Sequence, residues 1–101
     1  MAHILVDNIG IPAMLEQTAE ECNELAFALL KLARLYRGEN KVYGHTEEEL
    51  KANIEEELAD ILVCAVEMED VVYNKDEVFK IYYKKVRRML TRLGVLDENK
   101  V

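Results

Sequence analysis

Residues 46–93 read TEEELKANIEEELADILVCAVEMEDVVYNKDEVFKIYYKKVRRMLTRL, a run of 48 residues without one Gly or Pro. Those two residues are the strongest local breakers of regular structure, so their absence predicts helix throughout. The apolar residues agree. Leu50, Ile54, Leu58, Ile61, Ala65, Met68 and Val72 step by four or three, and so do Phe79, Tyr82, Val86, Met89 and Leu93. A single helix of this length would extend about 70 Å, out of scale for a chain of 101 residues. A break is therefore expected. Thr46 with Glu49 forms one capping pair, and Asn74 with Glu77 forms a second inside the run. The stretch divides into helices over about 46–73 and 75–93, and Gly94 ends the second.

Working outward, Pro12 stands where a first helical turn tolerates it, and Gly38 stands where a C-terminal cap needs positive φ. Nothing between them breaks a helix, which predicts a further helix over about 12–37. Its apolar stripe is Leu15, Cys22, Leu25, Leu29, Leu32 and Tyr36. The segment GENKVYGH at 38–45 is the one clear loop. The expected architecture is all-α: one domain over 1–101, a long-helix bundle with three main helices. Each stripe needs cover, and three long helices from so short a chain make a thin core. Oligomerisation, completing a four-helix core, is the expected solution.

Composition narrows the function classes. Half the residues are apolar, which excludes intrinsic disorder. No apolar run approaches the ~20 residues of a membrane span, and the first ten residues lack the pattern of a signal peptide. Two cysteines make no disulfide framework, so a reduced cytoplasmic setting is the default. The net charge of −7 disfavours nucleic acid as a partner.

Two acidic pairs stand out. Gln17, Glu21 and Glu24 lie at i, i+4 and i+7 on the first predicted helix, and Asn53, Glu57 and Asp60 repeat that spacing on the second. Within each pair the carboxylates sit about one turn apart and point the same way. Spacing alone says little, since about four acidic i,i+3 pairs are expected by chance at this acid content. Three occur: 21/24, 57/60 and 67/70. Context separates the first two, each followed by an apolar run, AFALL or ILVCA, that draws the acids towards a packed surface. Glu67 and Asp70, near the predicted helix end, read as a solvated face. Acids held together in a partly dry cleft repel unless a cation joins them. Carboxylates without His or Cys suit a hard cation, Mg²⁺ or Mn²⁺ as substitute, rather than Zn²⁺. His3 and His45 fall outside the predicted helices, which argues against a diiron bundle.

At these residues the chain resembles a known family. EECNEL at 20–25 and EELADI at 56–61 are similar to the paired E-x-x-E and E-x-x-D motifs of the all-α nucleoside triphosphate pyrophosphohydrolases, the MazG-like superfamily. The resemblance covers about residues 12–93 and is strongest to short, stand-alone, phage-type members. It includes Gln17 ahead of the first motif, the RGEN turn at 37–40 and a basic third helix. It implies Mg²⁺-dependent cleavage of a nucleoside triphosphate between the α and β phosphates, in a homodimer or dimer of dimers. It assigns Glu21, Glu24, Glu57 and Asp60 as metal ligands, with Glu21 or Glu24 also a candidate water-activating base. Gln17, Asn53 and Asn40 are candidate substrate contacts. Two departures are visible: 32 residues separate Glu24 from Glu57, which is long for the family, and Met89 stands where the third-helix signature often carries Asn.

Six of the thirteen basic residues lie between Lys80 and Arg92 with no acid among them. They read either as a solvated face or as a phosphate-binding one, in which Arg and Lys stabilise charge. Lys84 and Arg88 lie four apart, and Lys85 with Arg88 matches the family's signature. Cys22 and Cys64 read as small buried hydrophobes, and the tyrosines near helix ends, Tyr36, Tyr43 and Tyr73, as packing residues. Two other functions are open to this sequence: a catalytically inactive helical dimerisation or regulatory module, which Met89 favours, and a phosphoribosyl-ATP pyrophosphohydrolase.

Overall fold

In the computed structural model, which describes residues 3–38 and 44–95, every regular element is a helix. They are α1 (Ile4–Ile9), α2 (Ile11–Arg37), α3 (Glu47–Met68) and α4 (Lys75–Arg92). The expected all-helical class and the three long helices are present. The described residues group into two compact units, divided after Met68. No described helix is long and apolar enough to cross a membrane.

Most helix ends fall where local chemistry puts them. Gly38 adopts the left-handed conformation and gives its N–H to the carbonyls of Arg34 and Leu35, closing α2. Thr46 Oγ1 accepts from the Glu49 N–H at 3.2 Å, opening α3. Asn74 Oδ1 accepts from the Glu77 N–H at 3.0 Å, opening α4.

One end differs from expectation. Helix α3 stops at Met68 rather than near 73. Asp70 turns into the left-handed region at φ 64°, and its N–H closes a tight loop on the Tyr73 carbonyl at 2.8 Å. Asp tolerates that conformation better than most residues, and the β-branched pair Val71–Val72 favours helix weakly. Val72 is therefore exposed in a turn instead of extending the α3 stripe.

In the first unit α2 and α3 form an antiparallel hairpin. Thr18, early in α2, bonds Met68 at the end of α3, whereas Tyr36, late in α2, bonds Glu47 at the start of α3. The Tyr36 hydroxyl donates to Glu47 Oε1 at 2.7 Å and Lys51 Nζ reaches the same oxygen at 3.0 Å. These two partners hold the Glu47 carboxyl below its usual range. Tyr36 is thus an exposed hydrogen-bonding residue beside the loop and not a packed one.

The seam keeps Leu25, Leu32, Leu50, Ile54, Ile61 and Met68 of the expected apolar stripes and replaces the rest. On α2 it runs through Met14, Thr18, Glu21, Leu25, Ala28 and Leu32. On α3 it runs through Leu50, Ile54, Glu57, Ile61, Cys64 and Met68. Both follow the alternating four-and-three spacing of packed helices. Leu15, Cys22, Leu29 and Leu58 point outward instead. Cys22 is exposed because it sits one position past the seam; Cys64 is buried as expected.

Helix α1 is an addition to the expected architecture. Gly10, at φ 87° and ψ 162°, ends α1 and begins α2, in a backbone region open essentially to glycine alone. The reversal returns Val6 to the hairpin, where it packs with Met14 and Cys64 in a core flanked by Leu5 and Met68.

Candidate metal centre

Both seams carry an acid at mid-length. Glu21 and Glu57 are half-buried because the spacing that places Met14, Leu25 and Ala28, or Leu50, Ile61 and Cys64, against the opposite helix places them there too. Asp60 follows Glu57 by one turn and is more exposed. One carboxylate oxygen from each of Glu21, Glu57 and Asp60 lies within 4.8 Å of the other two.

Like charges crowd this cleft. Burial pushes the Glu57 carboxyl above its ordinary value, and the negative charges of Asp60, Glu24, Glu21 and Glu56 push it further. Among the described residues, Glu57 Oε2 is buried and accepts no hydrogen bond. A buried polar atom left unsatisfied is costly and calls for a partner. Gln17 Nε2 donates to Glu21 Oε1 at 2.9 Å, which orients that carboxylate.

The donor set suits a hard divalent cation. Opposite oxygens around Mg²⁺ are about 4.2 Å apart, and around Ca²⁺ nearer 5 Å. An envelope of 4.8 Å accommodates either ion with rotamer-scale adjustment.

Of the four acids the resemblance assigns, the geometry gathers three. Glu24 is exposed and stands outside the group, although its charge still acts on Glu57. Asn53 is half-buried on α3. Lys84, Lys85 and Arg88 are exposed on α4, in the second unit. Asn40 and Tyr43 lie outside the described residues.

A cavity of about 390 Å³ opens beside the acids, lined by Leu5, Ile9, Gln17, Glu21, Asp60, Val63 and Cys64. Its α1 wall was not legible in the sequence; Gly10 followed by Pro12 was the signal for the reversal that builds it. Set against protein-family models, curated proteins and solved structures, the chain matches none.

Glu67 departs most from its sequence reading. It was expected on a solvated face with Asp70, yet it is only 8% exposed. Its Oε1 accepts from the Leu5 N–H at 3.1 Å and its Oε2 from the Val6 N–H at 3.0 Å. Asp70, beyond the end of α3, shares no helix face with it.

Proposed function

We propose that the chain is a Mg²⁺-dependent nucleoside triphosphate pyrophosphohydrolase, the activity implied by its resemblance to the MazG-like superfamily. The observation that carries this reading is the convergence of Glu21, Glu57 and Asp60 around the unpartnered Glu57 Oε2. A divalent cation bound there neutralises phosphate charge and acidifies a coordinated water.

The chain's own residues do the rest. Glu21, Glu57 and Asp60 would hold the cation, and Gln17, which donates to Glu21 Oε1, would steady that carboxylate. Glu24, one turn further along α2 and outside the group of three, would accept the water proton. The water oxygen bonds to the α phosphorus. The α–β bridging bond breaks, its electron pair leaving with pyrophosphate, and a nucleoside monophosphate remains. A second copy of the chain covers the apolar residues that the first unit leaves exposed, Phe27, Leu30, Leu58, Leu62 and Val66 among them.

Incubation with a panel of NTPs, dNTPs and phosphoribosyl-ATP, each with Mg²⁺, Mn²⁺, Ca²⁺ or chelator, tests the reading. Equimolar pyrophosphate and monophosphate, lost with chelator, is the expected result. Orthophosphate as the sole inorganic product, or no turnover, overturns it. A marked preference for phosphoribosyl-ATP would assign the narrower activity.

A further inference from the structure

A helix of six residues has no stability of its own, so α1 stands where its contacts hold it. Three contacts do so: the reversal at Gly10, the burial of Val6 against Met14 and Cys64, and the Glu67 carboxylate. Glu67 is a polar one, and its chemistry matches its task. Two backbone N–H groups need two acceptors, and a carboxylate gives one oxygen to each. Leu5 connects this contact to the cavity, because its N–H is held by Glu67 while the residue itself lines the cavity wall. Ile9, one turn on, lines the same wall. Val63 and Cys64 continue the apolar lining, and Gln17, Glu21 and Asp60 form its polar part. A cavity of about 390 Å³ with apolar walls and a few convergent polar groups has the size and character of a small-molecule site.

We propose that Glu67 is a positioning residue: by holding the Leu5 and Val6 amides it sets α1 as the apolar wall against which the non-phosphate part of the substrate packs, opposite the acids that take its phosphates. The inference rests on the reading of this site as a nucleotide site. It makes α1 a determinant of substrate affinity, whereas the cation depends on α2 and α3 alone.

The test compares the full-length wild type with Glu67→Gln and Ile9→Ala. Glutamine keeps the shape of glutamate but offers one acceptor and two N–H donors, so one of the two amides loses its partner. Circular dichroism reports whether each variant retains its helices. Hydrogen exchange over residues 4–9 reads the hold on α1. Titration with Mn²⁺ reads the acids, and titration with a fluorescent N-methylanthraniloyl-dATP in Ca²⁺ reads nucleotide affinity without turnover. Glu67→Gln is expected to speed exchange over 4–9 about tenfold and to raise nucleotide Kd and KM about tenfold. Its kcat and Mn²⁺ affinity should stay within about twofold, the pattern of lost uniform binding. Ile9→Ala should raise Kd and KM by a similar factor without speeding exchange. Unchanged exchange in Glu67→Gln, unchanged KM despite loosened α1, or a loss of Mn²⁺ affinity equal to the loss of nucleotide affinity would each overturn the proposal. If wild type binds the analogue but hydrolyses nothing, the catalytic reading fails and the Kd comparison still decides the role of Glu67. If wild type binds no nucleotide, both fall.

Discussion

A carboxylate oxygen of Glu57 on α3 lies within 4.8 Å of one on Glu21 on α2, across the seam of the hairpin. Two like charges facing each other between packed helices are a destabilising pairing unless something positive or a proton intervenes. The same spacing that half-buries Leu25 and Ile61 half-buries these acids, so the repulsion is built into the hairpin.

The pH dependence of the metal-free protein follows from that repulsion. The Glu57 carboxyl is raised in the folded state, mainly by burial and then by Asp60 and the other neighbouring acids. The native state therefore binds this proton more tightly than the unfolded chain. Its contribution to stability is full below the unfolded pKa and is lost as pH rises through the folded one. Urea unfolding of chelated protein across mildly acidic to neutral pH should show that decline, and Glu57→Gln should flatten it. Mg²⁺ at a hundredfold excess over its Kd should raise the wild-type folded-to-unfolded ratio about a hundredfold. A decline of equal size in Glu57→Gln would assign it to other acids.

The three acids of the cluster should separate from the fourth. Glu21→Gln and Asp60→Asn remove an oxygen from the group of three, and each should lower Mg²⁺ affinity and turnover at least ~100-fold. Glu24→Gln should leave Mg²⁺ affinity within a few-fold, because Glu24 stands outside that group, while kcat falls through loss of the proton acceptor. Calorimetric titration with Mg²⁺, run beside steady-state kinetics, distinguishes the two patterns.

What the sequence made legible, and what it did not, divides by the range of the cause. Gly38, Thr46 and Asn74 act within one turn of themselves, and the helix ends they predict are present. Glu21, Glu57 and Asp60 were legible because helical spacing within each motif, with an apolar run after it, brings acids to one surface. The partner that buries Glu67 is α1, 61 and 62 residues away in sequence, so local pattern assigns this acid to solvent. Helix α1 is too short for periodicity to declare itself. Cys22 and Leu29 match an apolar stripe on paper but sit one position off the seam. Which of two adjacent stripes is covered depends on the opposite helix, and Glu21 lies on the covered one.

Gly10 tests the backbone reversal that carries α1. At φ 87° and ψ 162° any side chain is strained, although a Cβ there would meet only the Pro12 Cδ, at 4.0 Å. Gly10→Ala should therefore cost about 1–3 kcal/mol through the backbone alone. Urea denaturation should detect it, and exchange over residues 4–9 should rise with it. An unchanged midpoint would mean that the turn relaxes into another conformation.

Core and surface substitutions should part company in a way that also reads the oligomer. Met14 is fully buried, and Met14→Ala should cost about 2–5 kcal/mol at any protein concentration. Leu62 is 65% exposed, and it recurs with Leu58 and Val66 every four residues on the outer side of α3. Truncation of a side chain so exposed changes the folding of a single chain by no more than about 0.5 kcal/mol. If a second copy covers this face, Leu62→Glu buries a charge in that interface and separates the copies while leaving each hairpin folded. Light scattering should give the wild type a mass at least twice 11.7 kDa and the variant a mass near 11.7 kDa at micromolar concentration. The wild-type melting temperature should rise with protein concentration, and that of the variant should not. A wild type already at 11.7 kDa, with a melting temperature independent of concentration, would show that the face stays in solvent.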